Sequence, residues 1–172
     1  MSIRANLTEF MFQTVDKTAP GERQRWIKLL ARAPQAMLEA GLAAGPGQPR
    51  SWLRRPETGL LMVQGRVGGT GNRFNVGEIT VTRCALRLSG GACGVAYVQG
   101  RSHGRAEMAA LADALLQVAQ FRPVLEASLL APISAFLDAE SAAMTRKAQS
   151  TRVDFFTVAR ESGGADAEAA ES

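Results

Sequence analysis

The run Glu78-Ile79-Thr80-Val81-Thr82-Arg83-Cys84-Ala85-Leu86-Arg87-Leu88, followed by Ser89-Gly90-Gly91-Ala92 and Gly94-Val95-Ala96-Tyr97-Val98-Gln99, decides the fold class. Two runs rich in β-branched and apolar residues flank a glycine pair. That pattern marks antiparallel strands joined by a tight turn. With Gly90-Gly91 as the centre of a two-residue turn, Leu88 faces Cys93 and Cys84 faces Tyr97. The first strand carries a flaw: Ile79 and Val81 lie on one side, while Cys84, Leu86 and Leu88 lie on the other. Side chains alternate with period two, so either a bulge intervenes or both faces are covered. Arg83 and Arg87 point the same way, as an exposed pair or as a contact for a partner or an anion.

Upstream, Leu60-Leu61-Met62-Val63 reads as a buried strand within 58–67. Residues 45–56, with Gly45, Pro46, Gly47, Pro49 and Pro56, read as a connection. Pro20 and Pro34 open two helical segments over 20–44. Trp26, Leu29 and Leu30 share an apolar face there, with Arg23, Arg25, Lys28 and Arg32 in solvent. Residues 1–18 have apolar residues at helical spacing. Downstream, 105–120 forms an amphipathic helix with Met108, Leu111, Leu115 and Val118 inward, and Glu107 and Asp113 off that stripe. Glu107 there has the ordinary role of a helix-start carboxylate. A further helix spans 123–149, broken or restarted at Pro132, with Ile133, Phe136, Leu137 and Met144 inward. Residues 152–159 are a candidate final strand. The reading is α+β: a small antiparallel sheet packed with helices, one domain over 1–160, and an acidic tail over 161–172 that lacks the composition to fold.

The composition narrows the function classes. The 172 residues suffice for one domain with a sizeable core. No apolar window reaches membrane-span length, and no secretory leader is visible, so a cytoplasmic location is expected. One histidine and two separated cysteines make neither a metal-ligand cluster nor a catalytic triad. The net charge of +4 hides an acidic end; without the last twelve residues there are 20 basic and 12 acidic residues, and 17 of the basic ones are arginine. The arginine fork suits carboxylates and phosphates. Aromatic residues at 6% and dispersed arginines weigh against a nucleic-acid-binding module.

The segment Gly68-Gly69-Thr70-Gly71, with Arg73 close behind, is the one local candidate for binding chemistry. Such a loop either aims several N–H groups at an anion or simply needs glycine for its turns. It does not have the spacing of an ATP-binding P-loop.

A set of ordered strings runs through residues 22–160. It comprises Glu57-Thr58-Gly59-Leu60, Gly68-Gly69-Thr70-Gly71 with Arg73-Phe74, Gly77-x-x-Thr80-x-Thr82-Arg83 and Gly94. Val98-Gln99-Gly100-Arg101, Ala106-Glu107 with Leu111-x-Asp113-Ala114-Leu115, and Arg152-Val153-Asp154-Phe155-Phe156-Thr157 complete it. In order and spacing this set resembles the PhnG family, a subunit of the bacterial carbon–phosphorus lyase machinery. The resemblance implies a core complex with PhnH, PhnI and PhnJ partners and a PhnL-type ATPase. It also implies a reaction in which an alkyl phosphonate replaces adenine on ATP, giving a ribose 1-phosphonate 5-triphosphate. ATP is then a co-substrate of the complex, and this chain alone holds no cofactor.

On that reading, Gly68, Gly69, Thr70, Gly71, Arg73, Arg83 and Arg101 are the candidates for holding phosphate or phosphonate. His103 and Glu107 are the candidates for acid–base work. A purely architectural subunit is the alternative. One departure stands out: the family usually has histidine directly before Ala-Glu, where this chain has Arg105. Arginine does not shuttle protons near neutral pH, so only His103, from a different direction, is left for that role.

Overall fold

The computed structural model describes residues 20–43 and 49–152. The expected helix over 1–18, the strand beyond Arg152 and the acidic tail lie outside the described residues. Helices α1 (Pro20–Arg32) and α2 (Gln35–Ala43) come first. Three strands follow, β1 (Arg50–Arg66), β2 (Arg73–Leu88) and β3 (Cys93–Gln99), then α3 (His103–Leu116), α4 (Arg122–Leu125) and α5 (Ala131–Ser150). The sheet is antiparallel in the order β1-β2-β3, with helices against one face, an α+β arrangement.

The β2–β3 turn differs from the expected one. Arg87 faces Cys93 and Cys84 faces Ala96, one residue away from the two-residue register. Leu88 N–H donates to Ala92 at 2.9 Å, and Gly91, at φ 90°, donates to the Leu88 carbonyl at 2.9 Å. The loop is therefore Ser89-Gly90-Gly91, with Gly91 in the left-handed conformation that closes three-residue hairpins. The shift puts Cys84 on the helix-covered face and Cys93 on the other, so strand geometry keeps the thiols apart.

The flaw in β2 is resolved by its two partners. The β2–β3 ladder runs without interruption from Val81 to Arg87. The irregularities lie in the β1–β2 ladder, between Trp52 and Arg54, Arg54 and Glu57, and Val63 and Gln64. Pro56 falls inside the second, where a residue lacking N–H is tolerated. Thr82, Cys84, Leu86 and Leu88 face the helices, while Val81 lies on the opposite face between Gly59 and Gln99. Both long strands exceed expectation: β1 takes in residues placed in a connection, and β2 begins at Arg73 rather than 78.

Helix α3 lies directly on the sheet. Its buried face is mostly alanine (Ala106, Ala109, Ala110, Ala112 and Ala114), with Leu115 and Leu116 at the end. Met108 and Leu111 are only partly buried. The approach is so close that a Cβ on Gly94 would fall onto the Ala110 carbonyl oxygen and lie 2.8 Å from the Ala114 nitrogen. Trp26, Leu30, Leu38, Leu125, Leu129, Ile133 and Leu137 complete the core.

The amphipathic pattern misplaces two charges. Asp113 is fully buried, and Arg23 is half-buried beside it. The Asp113 carboxylate accepts from Arg23 Nη2 at 2.8 Å, Arg23 Nε at 3.2 Å, Trp26 Nε1 at 2.9 Å and the Val95 N–H at 2.9 Å. The Cys93 carbonyl next to it accepts from Arg23 Nη2 at 3.1 Å and Gln117 Nε2 at 2.8 Å. These groups occupy the outer edge of β3. The hydrogen bond to Asp113 raises the pKa of Arg23 against the opposing effect of burial. Arg122 stacks over Trp26, 5.8 Å from the ring centroid.

The last helical stretch is widened rather than broken at Pro132. Glu126–Leu130 form a π turn, with Ala131 N–H donating to the Glu126 carbonyl. Ile133 and Leu137 are buried, but Phe136 and Met144 are exposed, contrary to expectation. Phe136 lies off the Ile133–Leu137 stripe, and residues beyond Leu137 have no core beneath them.

Removing a buried carboxylate strands several donors at once. Asp113→Ala is expected to cost about 3–5 kcal/mol in urea unfolding, the range for breaking a buried pair. Glu57→Ala, which removes the exposed partner of Arg54 and Arg83, should change stability by no more than about 1 kcal/mol. Equal effects would contradict the assignment of Asp113 as the central anchor.

Candidate functional site

The chain turns from β3 into α3 through Gly100, at φ 94°, whose N–H donates to the Thr80 carbonyl at 2.9 Å. Ser102 caps α3 by accepting from Arg105 N–H at 3.2 Å, and its hydroxyl donates to Gln35 Oε1 of α2 at 3.0 Å. Ser102, not Glu107, is therefore the cap. Glu107 lies one turn further along and accepts from Arg50 Nη2 of β1 at 2.7 Å.

His103 and Glu107 are four residues apart, so both lie on the flank of α3 that meets β1. His103 Nε2 is 3.1 Å from Thr58 Oγ1, which is 3.2 Å from Thr82 Oγ1, whose hydroxyl donates to the Gly100 carbonyl at 2.7 Å. Counting protons along this chain fixes the ring. The Thr82 proton goes to Gly100, so Thr58 donates to Thr82 and must accept from Nε2–H of His103. Nδ1 is left to accept, or to carry the exchangeable proton. The exposed imidazole is thus held in one tautomer by two threonines on neighbouring strands. Residue-type reasoning passed over Thr58, Thr82 and Arg50. The available signal was the polar Thr80-x-Thr82 alternation in a strand whose next even positions are apolar.

The remaining candidates are dispersed. Gly68, Gly69, Thr70 and Gly71 form the exposed tip of the β1–β2 hairpin. Gly68 and Gly69 have φ values of 57° and 82°, and the N–H groups of Thr70 and Gly71 both turn inward to the Val67 carbonyl. Arg66 Nη1 closes the tip onto the Gly71 carbonyl at 3.2 Å. The glycines therefore satisfy turn geometry, and two of the four N–H groups are already engaged. Arg73 stands at the base of this tip, opposite Arg66.

Arg83 lies on the face of the sheet away from α3, where its Nε meets Glu57 Oε1 at 2.6 Å. Arg101 sits in the turn before α3, so it is the one predicted arginine placed beside His103. Arg105 points the opposite way from His103: its Nη2 donates to the Ala31 carbonyl at the end of α1 at 2.7 Å, and its Nε is buried without a partner. It joins two helices and does not share the imidazole's position.

Cys84 is buried under this region. Desolvation, with a smaller push from Glu107, raises its pKa to about 11, against a lowering by Arg50. A pocket of about 200 Å³ between α1 and the π turn is lined by Trp26, Leu29, Glu126 and Leu130, and by none of the predicted site residues. No helix among the described residues is long and apolar enough to cross a membrane.

Residues 21–161 match the family described as phosphonate metabolism protein PhnG. The chain belongs to the PhnG family. It is also 42% identical, over 149 residues, to the alpha-D-ribose 1-methylphosphonate 5-triphosphate synthase subunit PhnG of Rhizobium meliloti (strain 1021). That alignment covers 86% of this chain and 95% of the relative. The PhnG match includes the hairpin, the α3 entry and the Asp113 anchor.

The two thiols of this PhnG chain should react differently. With a pKa of about 11, Cys84 carries thiolate in only on the order of one molecule in a thousand at pH 8. An iodoacetamide pulse on folded protein should label the partly exposed Cys93 and spare Cys84, with mass spectrometry reading both sites. Urea should then open Cys84 to labelling.

Proposed function

We propose that this chain is a subunit of a ribose 1-methylphosphonate 5-triphosphate synthase, working in a hetero-oligomer of the phosphonate-degrading carbon–phosphorus lyase system. One observation carries the reading: 42% identity to a named subunit of that synthase along nearly the whole of both chains. The partners are PhnH-, PhnI- and PhnJ-type subunits with a PhnL-type ATPase, in the cytoplasm. ATP is the co-substrate. An oxygen of the alkyl phosphonate attacks ribose C1, the bond from C1 to adenine breaks, and adenine leaves with a proton. This chain has one histidine and a sparse acid–base set, so the activity belongs to the assembly rather than to the chain alone.

Within that reaction His103 is assigned proton transfer toward the departing base. The Thr58–Thr82 relay holds its Nε2, leaving Nδ1 for a ligand. Glu107 is the weaker candidate, since Arg50 already engages it. Arg101, beside His103, and Arg73 at the hairpin are the arginines for phosphate or phosphonate, with the 68–71 turn next to Arg73. Arg83 is less suited, because Glu57 neutralises it. The inward-turned N–H groups of Thr70 and Gly71, with the Arg83–Glu57 pair, favour the second reading: an architectural subunit whose partners supply every reacting group.

The complex assembled from all subunits, given ATP and methylphosphonate, decides between these readings by adenine release. Omitting this chain should abolish release. Under the first reading His103→Ala lowers kcat by about a hundredfold in a complex that still assembles, the scale of general acid–base catalysis. Arg101→Ala raises KM for ATP. Unchanged kinetics in both variants would leave the subunit architectural.

A further inference from the structure

The β1–β2 hairpin outruns the rest of the sheet. The last β3 pairing is Val81 with Gln99, yet β1 and β2 continue together to Arg66 and Arg73. About seven residue pairs extend past the third strand, roughly 20 Å of two-stranded ribbon at the usual rise. Such a ribbon has little stability of its own in water. Its sequence is nonetheless apolar on both faces. Leu60 lies on the face that α3 covers lower down, and Leu61 lies on the reverse, cross-strand from Ile79. Leu60, Leu61, Met62, Val67, Phe74 and Val76 are each between 46% and 65% exposed. A ribbon that docked flat would need one apolar face, whereas two apolar faces fit a ribbon enclosed on both sides.

Charge selects the occupant. Within the ribbon, residues 60–80, the charged side chains are Arg66 and Arg73, cross-strand neighbours at its tip, and Glu78, a net +1. Two copies laid arm to arm in parallel would bring their tip arginine pairs together, which is costly at an interface. At the start of the β3 edge, Arg23 and Gln117 hold the Cys93 carbonyl and Asp113 holds the Val95 N–H, so strand addition there is blocked. We propose that the distal β1–β2 ribbon is the tongue by which this chain inserts into an apolar cleft, rimmed by carboxylates, on a different subunit of its complex. This rests on the subunit reading above and adds the surface and the chemistry of the partner.

The test uses the chain co-expressed with the other subunits of the synthase. The double variant Leu61→Glu/Phe74→Glu should reduce co-elution at least tenfold while the isolated chain keeps its far-ultraviolet dichroism and melting transition. Met144→Glu, at an exposed position on α5, should co-elute like wild type. In the wild-type complex, hydrogen exchange at amides 60–66 and 73–80 should slow at least tenfold relative to the free chain, a readout independent of any variant's folding.

Unchanged co-elution of the folded double variant, or unchanged exchange in the ribbon, overturns the tongue and leaves the subunit reading standing. A wild-type chain that is dimeric alone and made monomeric by the double variant also overturns it, since a second copy would then occupy the ribbon. Failure of the wild-type chain to co-elute with any synthase subunit overturns both readings.

Discussion

One buried carboxylate organises this protein. Asp113 stands in the middle of α3, yet what it touches comes from α1 and β3. A charged group without solvent is tolerable only when its lone pairs are filled, and here an arginine fork, an indole and a backbone amide fill them. The amide is an edge group of β3. One interaction therefore sets the distance of α1 from α3 and holds the start of the β3 edge. The close seat of α3 on Gly94 follows from the same geometry, since an anchored helix with a bulkier face would not reach Val95.

The sheet then has two unlike edges. Side chains hold the start of the β3 edge, at Cys93 and Val95, while β1 borders no further strand among the described residues. Natural sheets blunt exposed edges with bulges, proline and charge. β1 has all three near its start, in the irregularities around Pro56 and in Arg54, Arg55 and Glu57. Further along, where the ribbon is apolar on both faces, those devices stop.

The antiparallel sheet, the turn region and most helices were legible from periodicity and from glycine and proline placement. The hairpin register was not, because two and three loop residues fit the same Ser-Gly-Gly-Ala string, and only the left-handed Gly91 distinguishes them. The periodicity leaves Asp113 off the buried stripe, because a hydrophobic stripe carries no information about a distant arginine that satisfies a buried charge. Phe136 and Met144 were placed inward by the same periodicity, which does not say where the core ends. At the candidate site, the pairing of His103 and Glu107 on one flank of α3 follows from their spacing. The threonines that orient the imidazole come from two other strands, and no local pattern joins them to it. The glycine-rich segment was visible at once, but its turn needs account for the glycines without an anion.

The π turn before α5 has a consequence for how the helical layer is phased. A widened turn accommodates one residue more than an ordinary helical turn over nearly the same rise. Each residue rotates a helix by about 100°. Leu125, Leu129, Ile133 and Leu137 are each four residues apart, so on a regular helix they would drift by about 40° per step, about 120° from first to last. The widened turn rotates less per residue, so it takes back part of that drift. It helps four apolar residues at one constant spacing to share one core.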